Sequence, residues 1–320
     1  ISVCRDISRE FQLHAFYNHT NVRSVLRRDY RADVVRSNRL RTLEERTLLA
    51  EEGRKIAVLE AQGALFFGST EQLLRKLNAL AQNSKYVIVD FKRVHHADSA
   101  ASKLIVRTVR AMAGGDTDLV FASIDNDRPL DGLIRALAET KEGHGLRQFR
   151  DTDAALEWCE DRLLAGVGST AGTKFALHQI NLFDGLTAGE RKLVEGIVRP
   201  LVFEKGDVIM RAGDPAKLFF VLARGTVSVE IKLHGEGGRY KRVASIGPGL
   251  TFGEMALLDG GTRSADVIAN ERVVCYGLGV EELHELAKEH PNVMITILGN
   301  LTREFSERLR HANEEISVLE

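Results

Sequence analysis

Apolar positions change their spacing twice along the chain, and the changes divide it. Over the first fifty residues VCRDISREFQLHAF carries Val3, Ile7, Phe11 and Leu13 at near-helical intervals, so this segment reads as helical. From Lys55 the period shifts. IAVLEAQGALFFG, KYVIVDFKRV and DLVFASI are strand-like apolar runs, whereas TEQLLRKLNALAQ, SAASKLIVRTVRAMA, LDGLIRALAET and DAALEWCEDRLL are helical. Strands alternating with helices of this length predict an α/β layer. The stretch Ala165-GVGSTAGT-Lys174 has no apolar period, and its Gly, Ser and Thr content marks a boundary. Beyond it GDVIMRAGD, KLFFVLARGTVSVEIKL, YKRVASI, RSADVIA and ERVVCYGL are short apolar segments parted by turns, which predicts a small antiparallel barrel or roll. Helices over TAGERKLVEGI and from about Pro291 to the end flank it. The expected division is 1–50, 51–165, a linker over 166–176, and 177–320.

The last helix carries its own signal. Met294, Leu298, Leu301, Phe305, Leu309, Ala312, Ile316 and Leu319 follow one another at intervals of 4, 3, 4, 4, 3, 4 and 3. That is close to a heptad seam, enough for a short two-stranded coiled coil. Up to about Leu301 the stripe is expected to pack on the roll. Beyond it, Glu304, Glu307, Arg308, Arg310, Glu314 and Glu315 read as solvent-facing charges beside the seam. A homo-oligomer paired through residues 301–319 is the expectation.

Composition narrows the function classes. The 320 residues carry 44 basic and 45 acidic side chains, a formal charge of −1, so bulk electrostatics favour no polyanionic partner. Up to Arg46 there are ten arginines against six acids, yet aromatic residues do not interleave with them in a nucleic-acid pattern, and a solvated helical face is the expected reading rather than a nucleic-acid patch. No apolar run approaches the roughly 18 residues of a membrane span. Cys4, Cys159 and Cys275 lie far apart without metal-like spacing, which fits a reducing cytoplasm and no metal. The chain opens at Ile1-Ser2-Val3 with neither methionine nor a signal-peptide pattern, so a start partway through a larger protein is expected.

The candidate chemistry lies in FGEMALLDGGTRSADV, from Phe252 to Val267, where Gly253-Glu254 precedes Arg263. Glycine opens backbone angles closed to other residues and lets a ligand approach the main chain. A turn of helix over EMALL would aim free N–H groups at an anion. Arg263 offers a planar fork suited to a phosphate, and Glu254 an acceptor for a sugar hydroxyl. Together they fit a sugar monophosphate. Residues 178 to 310 resemble the cyclic nucleotide-binding domain family on LFDGLTAGERKLV, FEKGDVIMRAGDPAKLFFVLARGTVSV and FGEMALLDGGTRSADV. The resemblance implies an α+β fold, a β-roll with flanking helices. It also implies a site of Phe252, Gly253, Glu254, Met255, Ala256, Arg263, Ser264 and Ala265, with Glu254 on the ribose 2′-OH and Arg263 on the cyclic phosphate. Gly253, Ser264 and Ala265 would supply further donors. The family usually has Thr or Ser where this chain has Asp266, and an acid there weakens binding unless strand alternation turns it away. Cyclic AMP is expected ahead of cyclic GMP.

Two further resemblances complete the reading. VLEAQGALFFGSTEQLL, YVIVDFKRVHHADSAASKLI and LVFASI resemble the STAS family, an α/β fold in whose bacterial signalling members a serine after an aspartate at a helix start is phosphorylated. Ser99 occupies that place, but Ala100 and Ala101 depart from the pattern, so Ser99 has two readings: phosphoacceptor or helix cap. His95 and His96 read as strand-end residues. ISVCRDISREFQLHAFYNHTNVRSVLRRDYRADVVRSNRLR resembles the C-terminal end of beta-lactamase-like glutaminases. That family's catalysis rests on Ser-x-x-Lys, which occurs nowhere in these 320 residues, so no catalytic residue is expected here. The implied function is a regulatory region: a cyclic nucleotide sensor coupled through a STAS domain to glutamine hydrolysis by an upstream catalytic domain. The alternative is the cytoplasmic STAS and nucleotide-binding tail of a SulP-type anion transporter.

Overall fold

The computed structural model describes residues 24–124, 147–167, 175–233, 240–255 and 261–319, together with Leu130, Leu133 and Leu137. Its elements in chain order begin with strands β1 (Leu26–Arg31) and β2 (Arg39–Leu40), helix α1 (Leu43–Glu52), β3 (Ile56–Leu65), α2 (Phe67–Ala81) and β4 (Tyr86–Ala97). There follow α3 (Ser99–Met112), β5 (Asp118–Ala122), β6 (Arg147–Phe149), α4 (Thr152–Gly166), α5 (Ala188–Ile197) and β7 (Val198–Phe203). The remainder comprises β8 (Val208–Met210), β9 (Leu218–Arg224), β10 (Val227–Lys232), β11 (Tyr240–Ile246), β12 (Thr251–Phe252), β13 (Asp266–Ala269), β14 (Val273–Gly279), α6 (Val280–Glu289) and α7 (Pro291–Leu319). These gather into two compact units. One holds residues 1–32 and 54–159, the other 33–53 and 160–320.

The first unit is built on a five-stranded sheet in the order β1-β3-β4-β5-β6. All neighbours are parallel except β1, which pairs antiparallel with β3. Central parallel strands are covered on both faces and so read as unbroken apolar runs. The first six residues of β3 and of β4 are all buried, as that rule requires. Helix α2 turns Leu73, Leu74, Leu77 and Leu80 into the same core as Phe91 and Phe121 of the sheet.

The helical reading of the first fifty residues holds over Leu43–Glu52, where Thr42 and Glu45 form a capping box. Residues 26–31 are instead a strand. Its basic composition hides it, because Arg27 and Arg28 pair with Glu60 of the neighbouring strand β3. Residues 1–23, most of LDGLIRALAET and most of the Gly-Ser-Thr stretch lie outside the described residues.

The second unit is a roll of two sheets, β2-β11-β10-β13-β8 and β12-β9-β14-β7. They share an apolar core that includes Phe220, Leu222, Phe252, Val267 and Cys275. Among the described residues every pairing is antiparallel save one: β2 joins β11 in parallel, with Arg39 opposite Ser245 and Leu40 opposite Ile246. The roll thus gains an edge strand from residues that precede β3 in the chain. Gly225 makes the β9–β10 turn with φ of +85°, and a Cβ there would stand 2.7 Å from Val273. Val293, Ile297 and Leu301 bury one stripe of α7 in a second core cluster with Phe183 and Phe219.

A buried ionic network fixes the inserted segment in this unit. The Glu160 side chain is fully buried, and its carboxylate accepts from the Ser37 amide at 2.8 Å, the Ser37 hydroxyl at 2.6 Å and Arg41 at 2.8 and 3.1 Å. Asp161 binds both Arg41 (2.9 Å) and Arg39 (2.6 Å). Burial alone would lower the Arg41 pKa, but Glu160 and Asp161 beside it hold it above its ordinary value.

Candidate functional site

Strands β12 and β13, with the turns beside them, bring the residues expected from the sequence to one cavity of the second unit. Strand β12 pairs Phe252 with Phe220 of β9, and the two rings stack at 5.1 Å. This delivers Gly253 and Glu254 to the cavity rim immediately after a fixed anchor. From the other side, the isolated bridge between Pro215 and Thr262 sets Arg263 in place just before β13 begins. Gly253 has φ of +73°, and a Cβ added there would meet the Arg263 guanidinium at 2.6 Å. Only glycine lets this arginine approach the main chain.

Arg263 is 8% exposed. Its Nη1 donates to the Gly253 carbonyl at 2.9 Å, Nη2 donates to the Leu218 carbonyl, and the guanidinium lies 5.7 Å from the Phe220 ring. Burial pulls its pKa below the ordinary arginine value, opposed by Glu254 and Asp214. Neutral carbonyls satisfy donors without cancelling charge, so this cation is positioned but not neutralised by them. Glu254 is 5% exposed. Its Oε1 lies 3.5 Å from Nη1 of Arg308, while its Oε2 is buried without a hydrogen-bond partner. Burial raises the carboxyl above the ordinary glutamate range; the Arg308 charge opposes this.

Phe252, Gly253, Glu254, Met255, Arg263, Ser264 and Ala265 therefore line one cavity of about 190 Å³. The eighth expected site residue, Ala256, lies outside the described residues, as does most of the turn expected over EMALL. Ser264 is exposed at the rim, its Oγ 3.7 Å from the Met255 sulfur. Asp266 does not line the cavity; its Oδ1 accepts from the Ala212 amide at 2.7 Å. Strand alternation has turned the acid away from the cavity that Arg263 lines.

Sequence reasoning missed Leu40 and Arg308, both of which line the same cavity. Arg308 does not face solvent as its place beside the seam predicts. It donates to the Thr251 carbonyl at 2.9 Å and pairs with Glu304, whose other oxygen accepts from Thr251 Oγ1 at 3.0 Å. Glu307 likewise pairs with Arg46 of α1. Charge pattern alone cannot separate a solvated charge from one held by a partner distant in the chain.

Elsewhere, Asp98 rather than Ser99 caps α3, accepting from the Ala101 amide at 2.6 Å. Ser99 sits exposed at the first position of that helix. His95 and His96 lie at the end of β4, both exposed. Among the described residues no cluster of His, Cys, Asp or Glu could hold a metal, and no helix is long and apolar enough to cross a membrane.

Family comparison assigns both units. A model of the cyclic nucleotide-binding domain matches residues 200–290, and a model of the STAS domain matches residues 47–127. The chain carries a STAS domain and a cyclic nucleotide-binding domain. Over its whole length it is 30% identical to Glutaminase 2 and 28% identical to Glutaminase 1 of Bradyrhizobium diazoefficiens. It covers 50% and 51% of those proteins, so it spans about half the length of the curated relatives it matches. A further relative, the Cyclic AMP receptor protein of Thermus thermophilus, is 33% identical over 43% of this chain and 61% of its own.

A cyclic nucleotide fits the residues of the nucleotide-binding domain chemically. The unpartnered Glu254 oxygen needs a hydroxyl donor, Arg263 needs an anion, and the Gly253 backbone leaves no side chain between them.

Proposed function

We propose that this chain is the regulatory region of a glutaminase, sensing a cyclic nucleotide and tuning hydrolysis of glutamine by a catalytic domain outside these 320 residues. The observation that carries the sensing role is Glu254: a carboxylate 5% exposed with one oxygen unsatisfied, sharing a cavity with a buried arginine. Leaving such a group unpaired costs about 1–3 kcal/mol, a cost that a ligand hydroxyl would remove. Glu254 takes the ribose 2′-OH, Arg263 takes the phosphate, and the amides about Gly253 and Ala265 with the Ser264 hydroxyl complete the anion site. The name of the Thermus relative supports cyclic AMP as the ligand over cyclic GMP. Similarity along the full chain to two glutaminases favours this setting over an anion transporter. The STAS domain relays the signal, the chain works in the cytoplasm, and copies pair through the exposed part of α7.

Isothermal titration of the chain with cyclic AMP and with cyclic GMP tests the reading. Cyclic AMP should bind more tightly, and Arg263→Ala should weaken it by about 2–4 kcal/mol, since the phosphate loses a buried counter-charge. Affinity within twofold of the parent would place the pocket elsewhere. In the longer protein, saturating nucleotide should change glutaminase turnover; an unchanged rate would separate binding from regulation.

A further inference from the structure

The cavity at Glu254 and Arg263 has a larger neighbour. At about 470 Å³ it lies between the inserted segment 36–46 and α7, and it shares the residues Leu40, Ala244 and Arg308 with the smaller cavity. Sites for small ligands generally measure roughly 300–1,000 Å³. The smaller cavity, at about 190 Å³, falls short of that range by itself. A nucleotide seated on Glu254 and Arg263 outsizes this cavity, and the shared residues Leu40, Ala244 and Arg308 stand between it and the larger space.

Ala244 is the least able of the three to yield, because it lies within β11 and is paired there with Val229. Leu40 and Arg308 are the remaining partitions, and both lead to the same segment, residues 36–52. Leu40 belongs to β2, whose ladder to the roll has two paired residues. The flanking Arg39 and Arg41 are held by Glu160 and Asp161, so the Leu40 side chain can yield only with the segment 36–46. Arg308 is tied to Glu304 one helical turn earlier, and between them Glu307 pairs with Arg46 of α1. Moving either partition disturbs residues 36–52. That segment is also the chain connection between β1 and β3, neighbouring strands of the STAS sheet.

We infer that residues 36–46 are a working part of the nucleotide site, with Leu40 as one wall and the Arg46–Glu307 pair as the latch through which occupancy of the pocket reaches α1. This rests on the nucleotide reading above and adds its output. The nucleotide-binding unit then includes a strand supplied from upstream of the STAS core, well outside the matched residues 200–290. Ligand binding changes the connection between two STAS strands without requiring any separate linker to carry the signal.

The test uses the whole 320-residue chain, with titration calorimetry for affinity and amide hydrogen exchange for residues 36–52. Leu40→Ala should weaken cyclic AMP or cyclic GMP binding three- to tenfold, and Leu40→Asp more, while Leu49 at the core of α1 stays protected. Saturating nucleotide should alter exchange over 36–52 at least twofold. In the ligand-free chain Glu307→Gln should speed exchange over 43–52 two- to fivefold, the range expected for losing one partly exposed ion pair. Normal affinity in both Leu40 variants overturns the wall, and unchanged exchange in Glu307→Gln overturns the latch. If the parent binds neither nucleotide, the reading of the site fails and the wall with it. Binding with no response over 36–52 defeats this inference alone.

Discussion

At the scale of single residues, the site holds its charges at a cost to the fold. Glu254 has its carboxyl raised by burial, more than Arg308 lowers it. Between the ordinary glutamate range and the raised value, the folded chain keeps a proton that the unfolded chain has lost. Stability from this group is therefore present at low pH and falls as pH rises through that window. Glu254→Gln mimics the protonated form at every pH. In denaturant melts without ligand, the variant should be more stable than the parent at about pH 7, the difference closing toward about pH 4, where the parent carboxyl is protonated as well. Its nucleotide affinity should fall at least tenfold. A parent that is the more stable at neutral pH would show that Arg308 outweighs burial. A buried acid that costs stability and yet lines the candidate nucleotide cavity is the kind of strain that functional sites keep.

Elements show how far the sequence was legible. Strands β3 and β4 could be read directly because both their faces are covered, and a short unbroken apolar run bounded by polar residues suits a buried strand. The site was legible for a similar reason: its liners from Phe252 to Ala265 lie within one short stretch, so their chemistry shows in order. Strand β1 was hidden because its arginines answer Glu60, about thirty residues away, and β2 because two residues carry no period. Arg41 was hidden too. It read as one more solvated arginine, yet it is the buried partner of Glu160. Breaking such a pair from one side strands a charge. Glu160→Ala should cost about 3–5 kcal/mol in urea unfolding, whereas joint replacement by Arg41→Met and Glu160→Leu should recover most of that loss. Equal losses in the single and double variants would mean that shape, not charge, holds the segment. Helix α7 splits along its length. Leu301 is 1% exposed in its own unit, but Leu309 is 64% exposed and free to meet a second copy. Light scattering should show a dimer weakened by Leu309→Asp; a monomer at tens of micromolar, with and without nucleotide, would remove the seam.

For the molecule as a whole, the decisive feature is that each compact unit has its own apolar core and the nucleotide cavity belongs to the second. Separate cores allow separate unfolding, so calorimetry of the chain should resolve two transitions. A ligand stabilises only what it binds. At a hundredfold excess over its dissociation constant, a nucleotide adds about 2.7 kcal/mol to the unit that holds it. For a unit of this size each kcal/mol moves the midpoint by about 2–4 °C, so the nucleotide-binding transition should rise by roughly 5–11 °C while the STAS transition stays in place. Residues 33–53 supply the sharper part of the prediction. Chain order sets them between two STAS strands, whereas their contacts set them in the nucleotide-binding unit through Arg41, Glu160 and the β2 pairing. Their amides should therefore lose protection with the nucleotide-binding transition and follow its upward shift on adding ligand. If they open with the STAS transition instead, the buried network is not what holds the segment. A single transition that shifts as a whole would show that the two domains unfold as one cooperative body.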